Sequence, residues 1–281
     1  MRKSVTLKDG RVYHFNNMKI MGILNTTPDS FFAGSRVKLD SSALEKAKEM
    51  IKNGAEILDI GGESTRPGSD PVDVEEEIAR VVPLIKEIRN INKDVLISVD
   101  TYRAKTAEEA IKAGADIIND ISGLTFDDNM ADVIRKYNVP IIIMHIKGTP
   151  KDMQKDPHYD NVIEEMKEFF RDRIDYALEK GISEDKIILD PGVGFGKNYD
   201  HNIEAIKKIE EFYTFDMPIL LAVSRKTTIG VALGNLPPEE RLEGTMAITC
   251  YAALKGIEMI RVHDVLENCR AARMAEVLRD E

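Results

Sequence analysis

Eight short runs rich in β-branched residues, separated by stretches of helical period, predict an α/β protein: a (β/α)8 TIM barrel with a short N-terminal β-hairpin. Two further observations point the same way. The chain has 281 residues, close to the ~250 that one such barrel uses, so it is read as a single domain over residues 1–281. Nearly every run also ends in a polar residue, and in a barrel those ends open on one common mouth. An open sheet with helices on both faces has the same alternation; the polar strand ends favour the barrel.

The elements follow in order. At 5–15, Asp9-Gly10 stands between two alternating segments, the signal of a tight hairpin expected to plug the barrel bottom. Strands are read at 20–24, 57–60, 95–99, 117–121, 141–144, 187–189, 219–223 and 259–262. Between them, Ser42 with Glu45 and Thr106 with Glu109 have capping-box spacing and are expected to start helices. Such alternation implies parallel strands joined by right-handed crossovers. Three strands share an entry phrase, Gly54-Ala55-Glu56-Ile57-Leu58-Asp59, Gly114-Ala115-Asp116-Ile117-Ile118-Asn119 and Gly256-Ile257-Glu258-Met259-Ile260-Arg261. In each, a glycine ends a helix and a polar residue follows at one fixed place.

Composition narrows the function. No apolar run approaches the ~20 residues of a membrane span, and the basic residues at positions 2 and 3 have no apolar stretch behind them. No membrane partner is expected, and the default location is cytoplasmic. A net charge of −10 argues against nucleic acid, whose backbone needs a broad basic surface. An anionic ligand would need a local cationic cluster. Cys250 and Cys269 lack metal-ligand spacing and read as reduced core filler.

The strand ends carry the chemistry. The first strand ends in Asn25 and enters a loop containing Phe31 and Phe32, aromatics in a polar connection that suggest a lid. The second runs into Glu63-Ser64-Thr65-Arg66-Pro67-Gly68. Later strands end in Asp100, Asn119-Asp120 and Asp190, so three carboxylates and an amide are expected to share one cavity. They would repel one another unless a ligand brings donors; a flat heterocycle with amino and ring N–H groups fits. The last two strands end in Ser224-Arg225-Lys226-Thr227 and Arg261-Val262-His263-Asp264, the cationic cluster. Arg261 and His263 fall on one side of their strand and can meet one anion, where barrels favour phosphate. Gly192-Val193-Gly194-Phe195-Gly196-Lys197 lacks Walker spacing and is read as a flexible loop carrying Phe195 over the mouth.

With these residues assembled, the chain resembles the dihydropteroate synthases from Met21 through Asp264. The resemblance rests on Gly22-Ile23-Leu24-Asn25, Thr27-Pro28-Asp29-Ser30-Phe31, Glu63-Ser64-Thr65-Arg66-Pro67-Gly68, Ser98-Val99-Asp100-Thr101, Asn119-Asp120-Ile121-Ser122-Gly123, Met144-His145, Gly148-Thr149-Pro150, Asp190-Pro191-Gly192, Ser224-Arg225-Lys226 and Arg261-Val262-His263-Asp264. It implies a transferase that condenses 6-hydroxymethyl-7,8-dihydropterin pyrophosphate with p-aminobenzoate. It further implies that Asp100, Asn119, Met144, Asp190 and Lys226 hold the pterin. Asn25, Thr65, Arg66, Arg261 and His263 would hold the pyrophosphate, with Asn25 as ligand to Mg2+. Thr65, Pro67, Phe195, Lys226 and Thr227 would hold p-aminobenzoate; Lys226, Asp190, Arg261 and His263 would carry catalysis. A homodimer through C-terminal helices is also implied. The chain departs from the family pattern at Phe32, Ala33 and Ser35, so no second carboxylate stands in the first loop, and at Val193 and Thr227 with local character kept. Two other readings share the barrel: a methyltetrahydrofolate–corrinoid methyltransferase, which has no use for a pyrophosphate clamp, and a non-catalytic pterin-binding barrel.

Overall fold

The computed structural model describes residues 4–26, 41–64 and 71–279. Strands β1 (Ser4–Thr6) and β2 (Val12–His14) pair antiparallel around Gly10, whose φ of 84° suits the turn. Eight parallel strands follow: β3 (Lys19–Asn25), β4 (Ile57–Gly61), β5 (Leu96–Asp100), β6 (Ile117–Asp120), β7 (Ile141–Met144), β8 (Ile187–Asp190), β9 (Leu220–Ala222) and β10 (Met259–Val262). Their spatial order is β8-β7-β6-β5-β4-β3-β10-β9, and a parallel bridge between Leu189 and Ile219 joins the two ends into a ring. Helices α1 (Ser41–Lys52), α2 (Val74–Ile91), α3 (Ala104–Ala113), α4 (Met130–Tyr137), α5 (Val162–Glu179), α6 (Tyr199–Lys207), α7 (Thr227–Ala232), α8 (Leu242–Leu254) and α9 (Val265–Leu278) lie between and after the strands. Among the described residues no helix is long and apolar enough to cross a membrane.

The strand period of two sorts side chains between lumen and helix layer. Ile20, Leu24, Leu58, Ile60, Ile97, Val99, Ile118, Ile141, Ile143, Ile187, Leu189, Leu221, Ile260 and Val262 join the large core cluster under the helices. The intervening residues Met21, Ile57, Leu96, Ile117, Ile142, Ile188, Leu220 and Met259, one per strand, form a separate buried layer in the lumen. Val5, Leu7 and Phe15 of the hairpin complete that layer, so the hairpin does plug the bottom. Two residues further along, the lumen positions turn polar at Asp59, Ser98, Asn119, Asp190 and Arg261. The same alternation that closes the floor therefore builds a polar chamber above it.

Two expected helix starts differ. Helix α1 already contains Ser42, and Thr106 is the third residue of α3, where its hydroxyl donates to Glu77 at 2.7 Å. The start of α3 is held instead by Asp127, which accepts from the Ala104 N–H at 2.8 Å. A capping box does form at α6, between Asn198 and His201. The S/T-x-x-E spacing misled because a nearby acid can claim a threonine hydroxyl as well as its own helix backbone can.

Phe15 is only 3% exposed and packs edge-on against Tyr13 at 5.5 Å. Phe15→Ala is expected to lower stability by about 3–5 kcal/mol, the range for a buried aromatic truncated to alanine. Urea unfolding measures it, and an unchanged midpoint would show that the hairpin is not part of the core.

Candidate active site

A cavity of about 990 Å3 opens at the C-terminal mouth of the barrel, with Asp100, Asn119, Met144, Asp190, Lys226 and Arg261 on its wall. The three entry phrases explain its floor. Asp59, Asn119 and Arg261 occupy the same place in their phrases, and the structure joins them: Asn119 Nδ2 donates to Asp59 Oδ2 at 3.1 Å, and Arg261 Nε to the same oxygen at 2.5 Å. A second guanidinium nitrogen reaches Asp100 Oδ2 at 2.8 Å. Asp59 is wholly buried. Burying it unpaired would cost several kcal/mol; Arg261 supplies the counter-charge. Among the described residues, Oδ1 of Asp59, Asp100 and Asn119 have no hydrogen-bond partner. Such a set of orphaned acceptors is what a donor-rich ligand satisfies.

Burial pushes the Asp100 carboxyl up to about 7, with Arg261 pulling it back and Asp59 adding to the rise. Burial also raises Asp190 above the ordinary carboxylate range, while Lys226 opposes the shift. Lys226 is pushed down to about 8 by burial, against the attraction of Asp190. The chamber thus brings one acid, Asp100, and one base, Lys226, near neutrality, a pattern that clusters at functional sites.

Toward the seventh and eighth strands of the barrel the site becomes cationic. Lys226 Nζ donates to the Val193 carbonyl and stands 4.8 Å from the centre of the Phe195 ring. The Ser224 hydroxyl accepts the His263 backbone N–H at 3.0 Å and lies 2.9 Å from His263 Nδ1. Asn25, at the exposed end of β3, and Thr227, the first residue of α7, also line the cavity.

The structure thus brings together Asn25, Asp100, Asn119, Met144, Asp190, Phe195, Lys226, Thr227, Arg261 and His263. Thr65, Arg66 and Pro67 lie outside the described residues, as do Phe31, Phe32 and Ala33. Three expectations are corrected. Asp120 is not a cavity carboxylate: it accepts from the Ser122 N–H, the Ser122 hydroxyl and the Leu124 N–H at 2.7–2.9 Å and so ties the turn after β6. Asp59, in the same polar layer as Asn119 and Arg261 but behind the cavity wall, is the third acid. Arg225 does not face the anion site either; both arms of its guanidinium go to Asp264, at 2.7 and 2.8 Å, and one nitrogen to the carbonyls of Pro238 and Glu239. The loop after β8 is tied down, because each carbonyl from Gly192 through Gly196 accepts a side-chain hydrogen bond. Sequence reasoning missed Asp59 and the buried place of Lys197, and the shared entry phrase was the signal that could have found Asp59.

The family described as pterin binding enzyme matches residues 21–263. A dihydropteroate synthase of Clostridium beijerinckii is 49% identical over 260 residues, covering 92% of this chain and 93% of that protein. Among solved structures, a Clostridium difficile dihydropteroate synthase in the presence of pteroic acid is 45% identical, with a TM-score of 0.87 over 95% of this chain and 98% of that one. A Xanthomonas albilineans dihydropteroate synthase with 4-aminobenzoic acid is 34% identical, with a TM-score of 0.90 over 99% and 98%. Identity of this level across nearly the whole length, together with a chamber of buried acceptors beside a cationic rim, places the chain in the pterin binding enzyme family, among the dihydropteroate synthases.

Proposed function

We propose that this chain condenses 6-hydroxymethyl-7,8-dihydropterin pyrophosphate with p-aminobenzoate, giving 7,8-dihydropteroate and pyrophosphate, a transferase step of folate biosynthesis. The observation that carries this reading is the juxtaposition of acceptors and cations in one cavity: Asp100, Asn119 and Asp190, with Lys226 beside them, suit a donor-rich ring, and Arg261 and His263 suit its anionic tail. The corrinoid methyltransferase reading has no leaving pyrophosphate for Arg261 and His263 to meet.

In this reading Asp100, Asn119, Asp190 and Lys226 grip the pterin, and Met144 packs against it. Arg261 and His263, with Asn25, Thr65 and Arg66, take the pyrophosphate. Thr65, Pro67, Phe195, Lys226 and Thr227 flank the aminobenzoate. The bond from the pterin methylene to oxygen breaks with its electron pair leaving on pyrophosphate. The amine lone pair then forms the new C–N bond, and the nitrogen releases a proton. No protein nucleophile is required. The chain's tasks are to balance charge, with Asp190 facing the cationic ring and Arg261 and His263 facing the leaving group, and to keep water out.

Mg2+ fits this site only as a companion of the pyrophosphate. Among the described residues no cluster of three or more His, Cys, Asp or Glu could hold a metal, whereas Mg2+ bound to substrate phosphates and water needs one or two protein oxygens. The Asn25 carboxamide at the mouth supplies one. Bound there, the ion would neutralise charge on the departing pyrophosphate.

The same reading includes a homodimer. Its support is that apolar side chains of the C-terminal helices are exposed, Leu254 by 45%, Met274 by 54% and Val277 by 77%, as residues covered by a second copy would be. Light scattering should give a dimer for the parent chain and a monomer for Leu254→Asp. A monomeric parent or an unchanged variant would remove the homodimer from the reading.

The activity itself is tested by pyrophosphate release with and without p-aminobenzoate; no aminobenzoate-dependent product would overturn it. Asp190→Asn should weaken pterin binding by about 1.5–3 kcal/mol, the worth of a charge-assisted hydrogen bond, and unchanged affinity by calorimetry would take Asp190 out of the site.

Removal of Mg2+, Arg261→Ala and His263→Ala should each cut turnover more than they weaken binding of the bare pterin, since their charge acts on the leaving group. Equal losses for bare pterin and for pterin pyrophosphate would assign both residues to the fold instead.

A further inference from the structure

Lys197 ends the loop after β8 and is 2% exposed. Its Nζ lies 2.7 Å from His145 Nδ1, 3.0 Å from the Gly192 carbonyl and 3.1 Å from the Phe195 carbonyl. Both carbonyls accept from it, and one hydrogen joins it to the ring nitrogen. Burial, and after it the charge of Lys197, hold His145 well below the usual imidazole range; burial likewise holds Lys197 well below the usual ammonium range, with Asp190 opposing the shift.

The loop is wound closely around this nitrogen. Gly192 and Gly196 have φ of 63° and 64°, and a Cβ on either would fall 1.9 Å from the His145 carbonyl oxygen or 2.2 Å from that of Lys147. Only glycine lets the loop lie on the segment after β7. Between the two, Val193 turns its carbonyl to Lys226, while Gly194 and Gly196 accept from Gln154 and from the Tyr159 hydroxyl, each at 2.7 Å. Two lysines thus share one loop: Lys226 from the cavity side and Lys197 from beneath.

We infer that Lys197 is a positioning residue for the aromatic-amine half of the reaction: by drawing the Gly192 and Phe195 carbonyls and the His145 ring onto one buried nitrogen, it sets the Phe195 ring and the Val193 carbonyl against which Lys226 and the amine substrate align. It touches neither substrate. The pterin half depends on it less: the Asp190 carboxylate accepts the Gly192 N–H of this loop at 2.8 Å, but Asp190 itself sits on β8, where its carbonyl accepts the His145 backbone N–H at 2.9 Å. The inference rests on the synthase reading of this site.

Lys197→Met keeps the buried stem and removes the nitrogen that gathers the three groups. Its Michaelis constant for p-aminobenzoate should rise about ten- to a hundred-fold, as for a slightly misplaced substrate group, with pterin affinity by calorimetry changed far less. Tyr159→Phe, which removes only the hydroxyl that holds Gly196, should move the same constant in the same direction by a smaller factor. Equal losses for both substrates, or an unchanged constant for p-aminobenzoate in Lys197→Met, overturn the inference. If Lys197→Met does not fold, Tyr159→Phe decides alone, and an unchanged constant there overturns it as well. A parent chain without aminobenzoate-dependent pyrophosphate release would overturn the reading of the activity itself, whereas an active parent with unsplit variants overturns only the role of Lys197.

Discussion

Closing eight parallel strands into a ring sends every second side chain of each strand into one narrow lumen, and the rest of this molecule follows from how that lumen is filled. Below, one apolar residue per strand makes a dry layer that the hairpin seals through Val5, Leu7 and Phe15. Above, the same positions hold Asp59, Ser98, Asn119, Asp190 and Arg261. Polar groups that would be intolerable in a core become usable there because the mouth is open to a ligand. The floor also keeps the effective dielectric low from beneath, so each charge in the chamber acts more strongly on its neighbours than it would in water.

The buried charges hold one another in place. Arg261 spans Asp59 and Asp100, and Asn119 shares the Asp59 oxygen. Lys226 and Asp190 shift each other's protonation in opposite senses. Asp59 therefore governs the site from behind its wall: it fixes the direction of an amide and of a guanidinium that do meet the cavity.

The fold was legible in the sequence, and most of the site with it, for a common reason: both are consequences of strand parity. The strand runs and the polar ends are local signals, and the eight strands fall where the β-branched runs do. The errors arose where parity was not carried through. Asp120 follows Asn119 directly, so it points away from the lumen, while Asp59 shares the parity of Asn119 and points in. Lys197 could not be read as buried, because a lysine in a glycine-rich loop looks solvated until the carbonyls around it are known. Arg225 gave no hint of Asp264, since their pairing depends on two strand ends lying side by side.

The ring has a seam. Strand β9 is hydrogen-bonded to β10 along three register pairs, but β8 meets β9 through the Leu189–Ile219 bridge alone. Asp190 stands at the top of β8, one residue past that bridge, and Lys226 just beyond the end of β9. A pterin bonded to both would act as a rivet across the weakest join of the hoop. On the proposed reading, substrate would then do mechanical work for the scaffold: the cylinder would be stiffest when loaded, and the free energy of ligation would be partly free energy of closure.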